Sequence, residues 1–161
     1  GSLGLAVGDR AEALILQMSY WNRRPKDVDW RHEPDLTQLA QDCDVLIVTV
    51  AGGPETAGLI SAGVMAALGP DGLLVNIARG SVIDEPAMIA ALESGALGAA
   101  ALDVYASEPD PDPRLTALPN VQLSPHRASG TEEARRAMAQ LAVDNLLAFM
   151  DGKPLLSPVA I

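Results

Sequence analysis

Four polar residues in the second half of this 161-residue chain have the types and spacing for acid–base chemistry beside an anion: Arg79, Asp103, Glu108 and His126. They lie in the stretches VNIARGSVID, GAAALDVYASEP and LSPHRASGTEEA. Each comes at or after an apolar run (72–77, 98–102 and 121–123) that reads as a buried strand. Open α/β sheets bind ligands just outside the carboxyl ends of their strands, so three strand ends would deliver an arginine, two carboxylates and a histidine to one crevice. Histidine titrates near neutral pH and can give or take a proton. A carboxylate beside it fixes one tautomer and favours the imidazolium. The planar, permanently charged guanidinium of arginine grips a carboxylate with two parallel hydrogen bonds, which lysine does less well. Such a set suits proton transfer at a hydroxyl or carbonyl carried next to a carboxylate. Each residue also has a plainer reading. Arg79 could cap a strand-to-helix turn, Asp103 a loop, and His126 could be a turn residue after proline. Their joint recurrence at strand ends favours the chemical reading.

The elements that must position these residues alternate along the chain. Residues 5–14 carry apolar side chains on one face and Asp9, Arg10 and Glu12 on the other, which predicts a helix. A strand over 15–20, a polar loop over 21–31 and a short helix over 36–41 follow. The run 44–50 is the strongest strand, and Gly52–Pro54 breaks it ahead of a helix over 55–68. A strand over 73–77 leads to Asp84-Glu85-Pro86, a helix start with a capping side chain and a first-turn proline, and a helix over 87–93. A strand over 98–104, a proline- and acid-rich loop with one helical turn at 113–118, and a strand over 121–124 come next. Ser129-Gly-Thr-Glu132 reads as a capping box opening a long helix to about residue 149. Strands alternating with helices of this length predict an α/β fold with a doubly wound parallel sheet of Rossmann type, helices on both faces.

Composition narrows the function classes. Hydrophobic residues make up 48% of the chain and aromatics 3%, a core of mostly Ala, Val, Leu and Ile that suits helices on a parallel sheet. A formal charge of −10 argues against nucleic acid or an anionic membrane as partner. Cys43 is the single cysteine and reads as a buried core thiol. No apolar run approaches the ~20 residues of a membrane span, and no metal-ligand cluster is expected. The expectation is a cytoplasmic protein.

The four-residue pattern and its flanking motifs resemble the D-isomer-specific 2-hydroxyacid dehydrogenases. The string Asn22-Arg23-Arg24-Pro25 and the stretch VAGGPETAGLI are similar to their glyoxylate/hydroxypyruvate reductase branch. The resemblance covers nearly the whole chain. It implies catalytic roles for Arg79 (substrate carboxylate), Glu108 (support of the histidine) and His126 (acid/base), and for Asp103 a hydrogen bond to the cofactor carboxamide. In that family the pyrophosphate sits on a Gly-x-Gly-x-x-Gly turn at a helix N-terminus. Here Gly1 matches its second glycine and Gly4 its third, with Ser2 and Leu3 between; a tag remnant is the competing reading of Gly1-Ser2. Further cofactor contacts are implied for Asn22, Arg23, Arg24, Val50, Ala51, Ile77, Ala78, Arg79, Asp103, His126 and Ala128. The resemblance implies that this chain is the cofactor-binding half of a dehydrogenase. Residues 1–146 would be a dinucleotide-binding domain lacking its first strand, which leaves two unpaired edges, and 147–161 would return toward a substrate domain. The full-length protein would be a homodimer.

Cofactor preference follows from charge. NAD enzymes place an acid at the end of the second strand for the ribose 2′-hydroxyl. This chain has Tyr20-Trp21-Asn22-Arg23-Arg24, and two guanidinium groups would hold a 2′-phosphate. NADP(H) is therefore expected over NAD(H). Some positions depart from the family pattern. Ile15 stands where a glycine usually ends the first helix, Gly8 replaces a mid-helix alanine, Arg127 replaces an apolar residue beside His126, and Gly130 replaces a small alanine. Two function classes stand open at this point. One is an NADP-dependent reductase of a small 2-keto acid to a D-2-hydroxy acid. The other is a non-catalytic dinucleotide sensor, corepressor-like, on the same scaffold.

Overall fold

The computed structural model describes residues 1–158, so the end of the expected returning segment, 159–161, lies outside the described residues. The chain divides into two compact units, Gly1–Pro125 and His126–Ile161. The first holds helices α1 (Ser2–Ala13), α2 (Leu36–Gln41), α3 (Ala62–Leu68), α4 (Glu85–Ser94) and α5 (Pro113–Ala117). Its strands are β1 (Ser19–Tyr20), β2 (Arg31–His32), β3 (Val45–Val48), β4 (Leu73–Asn76), β5 (Ala99–Leu102) and β6 (Val121–Leu123). Among its described residues the second unit holds α6 (Glu132–Met150).

All strand pairings are parallel, as the alternation of helix and strand predicts. The strands form two sheets, β1-β2 and β3-β4-β5-β6. In the doubly wound order 3-2-1-4-5-6 these are the two flanks of the place held by the first strand. Within the described residues β1 pairs only with β2, and β3 only with β4. One face of β3, β4 and β5 is buried. Leu46, Val48, Leu74, Ala100 and Leu102 alternate toward a buried cluster that includes Leu39, Val64, Met65, Leu68, Met88, Ile89 and Leu92 of α2, α3 and α4. On the opposite face Val45 and Ile47 remain 45% and 36% exposed.

Several expected elements are corrected. The strand over 15–20 shrinks to β1 because the amides before it close α1: Leu14 N–H donates to Ala11 O (3.0 Å), Ile15 N–H to Glu12 O (2.8 Å) and Leu16 N–H to Ala11 O (3.1 Å). Ile15 takes φ 63°, the left-handed conformation that glycine supplies at such helix ends. The strand β2 begins at the last residue of the expected loop, Arg31; two residues are too few for periodicity to register, and pairing with β1 creates it. The helix over 55–68 is broken. A 3-10 turn at Pro54–Thr56 is followed by Gly58 at φ 61°, and Ile60 bridges Ile83 before α3 begins. The long C-terminal helix starts later than the capping box implied. Thr131 is its N-cap, accepting from Ala134 N–H at 3.2 Å. Cys43 is half-buried, and its Sγ–H donates to Ala40 O at 3.6 Å. Gly8 finds its reason in packing. A β-carbon there would stand 2.1 Å from the Trp30 ring. Among the described residues no helix is long and apolar enough to cross a membrane.

Two outcomes test these local accounts. Left-handed backbone costs a side-chain-bearing residue roughly 1–2 kcal/mol, more than glycine loses to unfolded-state freedom. Ile15 is 93% exposed and has little packing to lose. Ile15→Gly should therefore stabilise the protein by up to about 1 kcal/mol in urea titration. Burial pushes the Cys43 thiol above its ordinary range, and the charges of Asp44 and Asp42 push the same way. The folded thiolate thus forms only at higher pH than the unfolded one. Iodoacetamide at pH 8 should alkylate the folded protein several-fold more slowly than the denatured chain. Stability should also fall as pH rises through the thiol range, because the unfolded chain gives up the proton first.

Candidate active site

The carboxyl edge of the larger sheet is set by backbone bonds just beyond the strands. Ile77 N–H donates to Val48 O (3.3 Å), Asp103 N–H to Asn76 O (3.0 Å) and Ser124 N–H to Leu102 O (2.8 Å). The chain therefore leaves β3, β4 and β5 at one edge, with Val50 and Ala51, then Ile77, Ala78 and Arg79, then Asp103 as the departing residues.

Asn76 shapes the turn that presents Arg79. Its side chain is fully buried; Oδ1 accepts from Ala78 N–H (3.0 Å) and Nδ2 donates to Arg79 O (3.1 Å). An apolar residue at this position would continue the strand pattern but leave both backbone groups without partners. The Arg79 side chain is exposed and donates from Nη1 to Ala78 O at 2.6 Å. Its aliphatic stem crosses the backbone at Gly52, where a β-carbon would lie 2.6 Å from Cγ.

The loop after β5 packs directly on the Arg79 turn. A β-carbon on Gly80 would fall 2.2 Å from the Tyr105 carbonyl, so only glycine lets the two backbones approach. Asp103 is buried at 8% exposure. Glu108 is exposed, and its Oε1 accepts from Tyr105 N–H at 3.2 Å. The buried carboxylate of Glu85 accepts from Ala106 N–H at 2.8 Å and ties the same loop to the start of α4. Arg79, Asp103 and Glu108 thus share one braced edge.

α1, the turn after β1 and the loop after β3 form a second candidate cluster. Gly1 caps α1 with no side-chain bond, so the first-turn N–H groups near Ser2, Leu3 and Gly4 are the open donors of a helix N-terminus, where anions are favoured. Gly4 abuts Thr49, whose Oγ1 would be 3.0 Å from a β-carbon there. Beyond β1, Trp21 Nε1–H donates to Pro34 O (3.1 Å) and Asn22 Nδ2 to Arg24 O (2.7 Å), and His32 Nε2 lies 3.0 Å from Asn22 O. Arg23 and Arg24 are exposed on this braced turn, and Arg23 forms an ion pair with Glu55 of the 3-10 turn after β3.

His126 and Ala128 belong to the second unit and are exposed there. His126 adopts φ 51°, uncommon for a residue other than glycine. The following turn closes through Gly130 N–H to Arg127 O at 2.8 Å, ahead of the Thr131 cap. Among the described residues no group of three or more His, Cys, Asp or Glu could hold a metal ion.

Three residues at this edge escape a sequence reading. Asn76 is a lone polar residue ending an apolar run, which was the available signal. Glu85 looks like part of a helix cap, whereas Asp84 is the N-cap and Glu85 turns inward. Glu55 carries no local signal, because its partner is 32 positions away. Removing the Asn76 side chain should strand the Ala78 N–H and the Arg79 carbonyl. Asn76→Ala is expected to cost about 1–3 kcal/mol in chemical denaturation.

Residues 1–128 match the D-isomer specific 2-hydroxyacid dehydrogenase, NAD binding domain. The chain is 46% identical over 160 residues to the 2-ketogluconate reductase of Gluconobacter oxydans, covering 99% of this chain and 52% of that protein. It is 45% identical over 160 residues to a glyoxylate/hydroxypyruvate reductase of Arabidopsis thaliana, covering 99% and 51%. Among solved structures, the NADPH-dependent glyoxylate/hydroxypyruvate reductase of Sinorhizobium meliloti, in complex with NADP and malonate, superposes with a TM-score of 0.97. It is 41% identical, over 99% of this chain and 50% of that one. A 2-hydroxyacid dehydrogenase from Ketogulonicigenium vulgare gives 0.93 at 49% identity, over 100% and 51%. The chain spans about half the length of the curated relatives it matches. With its parallel sheet, uncapped first helix and braced strand ends, this chain belongs to the D-isomer-specific 2-hydroxyacid dehydrogenase family and corresponds to its NAD-binding domain.

Proposed function

We propose that this chain is the cofactor-binding half of an NADP(H)-dependent reductase that converts a small 2-keto acid, of the glyoxylate or hydroxypyruvate kind, to its D-2-hydroxy acid. The observation that carries the reading is the delivery of Arg79 and Asp103 from adjacent parallel strands to one edge, with Glu108 on the loop that packs against the Arg79 turn. The residues fit a dinucleotide. An uncapped helix N-terminus offers N–H groups to a pyrophosphate, and Arg23 and Arg24 stand beyond β1 where a 2′-phosphate would need cations.

In this reading Gly1, Ser2, Leu3 and Gly4 hold the pyrophosphate, while Asn22, Arg23 and Arg24 hold the phosphorylated ribose. Val50 and Ala51 line the adenosine side; Ile77, Ala78 and Ala128 border the nicotinamide side. Asp103 accepts a hydrogen bond from the carboxamide. The nicotinamide, when bound, supplies the hydride. Arg79 binds the substrate carboxylate with its planar fork and stabilises charge on the adjacent oxygen. His126 gives a proton to that oxygen in reduction and takes it in oxidation, with Glu108 in the supporting role. Residues 1–146 make up the dinucleotide-binding domain, and 147–161 return toward a substrate domain. The assembled protein is a cytoplasmic homodimer; Leu146, Leu147, Phe149 and Met150, all more than half exposed, offer apolar surface that assembly would cover.

The test uses the full-length gene product. His126→Gln should lower turnover by about 10² to 10⁴-fold while leaving cofactor affinity unchanged. A paired Arg23→Ala, Arg24→Ala change should weaken NADPH about 10- to 100-fold, as expected for lost charge-assisted hydrogen bonds, and spare NADH. A thermal shift larger with NADH than with NADPH would overturn the cofactor preference. Turnover that survives His126→Gln would overturn the catalytic reading.

A further inference from the structure

Arg23, one of the two cations read above as the 2′-phosphate clamp, has a partner. Its Nη1 meets Oε2 of Glu55, 32 positions along the chain, and both side chains are largely exposed at 72% and 75%. The carboxylate is held at this place by a rigid turn. Thr56 Oγ1 donates to Ala51 O (2.7 Å) and Gly53 O (3.2 Å), and Thr56 N–H donates to Gly53 O (3.1 Å). Just downstream, Gly58 N–H donates to Ser81 O (2.9 Å) and anchors the segment to the turn after Arg79. The arginine side is equally braced through Trp21 and Asn22. Two fixed backbones therefore bring a negative charge to the cation that the phosphate would use.

We propose that Glu55 is a specificity-determining residue that competes with the cofactor's 2′-phosphate for Arg23, and so limits the preference for NADPH over NADH. The proposal rests on the reading of Arg23 as part of the phosphate clamp. An exposed ion pair is weakly held and screened by salt, so a phosphate displaces it. The displaced carboxylate stays nearby, because its turn is tied by the Thr56 and Gly58 hydrogen bonds, and like charges repel. A ribose hydroxyl carries no charge and is indifferent to the carboxylate. The Asn22 and Trp21 bonds already order the arginine turn, so the pair adds repulsion toward the phosphate more than it adds order.

The experiment measures Kd for NADPH and NADH by calorimetry on the full-length protein at low ionic strength. It compares the natural protein with Glu55→Gln, Arg23→Ala and the double variant; Glu55 is exposed enough that its isosteric change leaves folding intact. Glu55→Gln should tighten NADPH by roughly two- to fivefold and move NADH by less, with the gain shrinking as salt is added. The gain should vanish in the Arg23→Ala background. If Arg23→Ala weakens NADPH while Glu55→Gln leaves it unchanged or weaker, the competition is refuted and the clamp stands. If Arg23→Ala leaves NADPH unchanged, the clamp and the competition fall together.

Discussion

The candidate site depends on a backbone hydrogen-bond ladder that runs past the ends of the strands. Parallel strands in register share a carboxyl edge, and the bonds from Ile77, Asp103 and Ser124 to the neighbouring strands hold that edge level. Side chains that leave consecutive strands there are placed by main-chain geometry before any side-chain contact forms. A family that varies its substrates can keep such an edge and change only what projects from it.

Contacts between successive loops then tile the edge. Gly4 lies on Thr49, Arg23 pairs with Glu55, the Arg79 stem crosses Gly52, and Gly80 meets Tyr105. Two of the four contacts use a glycine where a β-carbon would collide, at Gly52 and Gly80, and a β-carbon at Gly4 would be tight at 3.0 Å. Two buried polar side chains complete it. Asn76 satisfies the backbone of the Arg79 turn, and Glu85 satisfies an amide of the 103–108 loop. Buried polar groups left without partners are costly, which makes these bonds determinants of position rather than ornaments of a core.

The charge distribution matches this arrangement. The chain carries −10 overall, yet Arg23 and Arg24 stand exposed beyond β1, and Arg79 is exposed just beyond β4. Anionic ligands would meet cations there. Glu55 lies within this cationic patch, so the edge carries its own counter-charge.

Much of this was legible in the sequence. Apolar runs at 44–50, 73–77, 98–104 and 121–124 located the four strands of the larger sheet, because parallel strands of α/β folds read as near-continuous apolar runs. Arg79 and Asp103 could be placed just past strand ends from those same runs, and the segments around Arg79, Asp103, Glu108 and His126 marked the family. What only tertiary structure decided involves partners distant in sequence. The two-residue β2 exists through pairing with β1, and the split of the 55–68 helix follows the bridge between Ile60 and Ile83. Gly8 is explained by Trp30, Glu85 by Ala106 and Glu55 by Arg23. Local pattern reports how a residue meets solvent and its immediate neighbours. Which remote backbone comes within bonding distance is settled only when the sheet closes and its loops are pressed together.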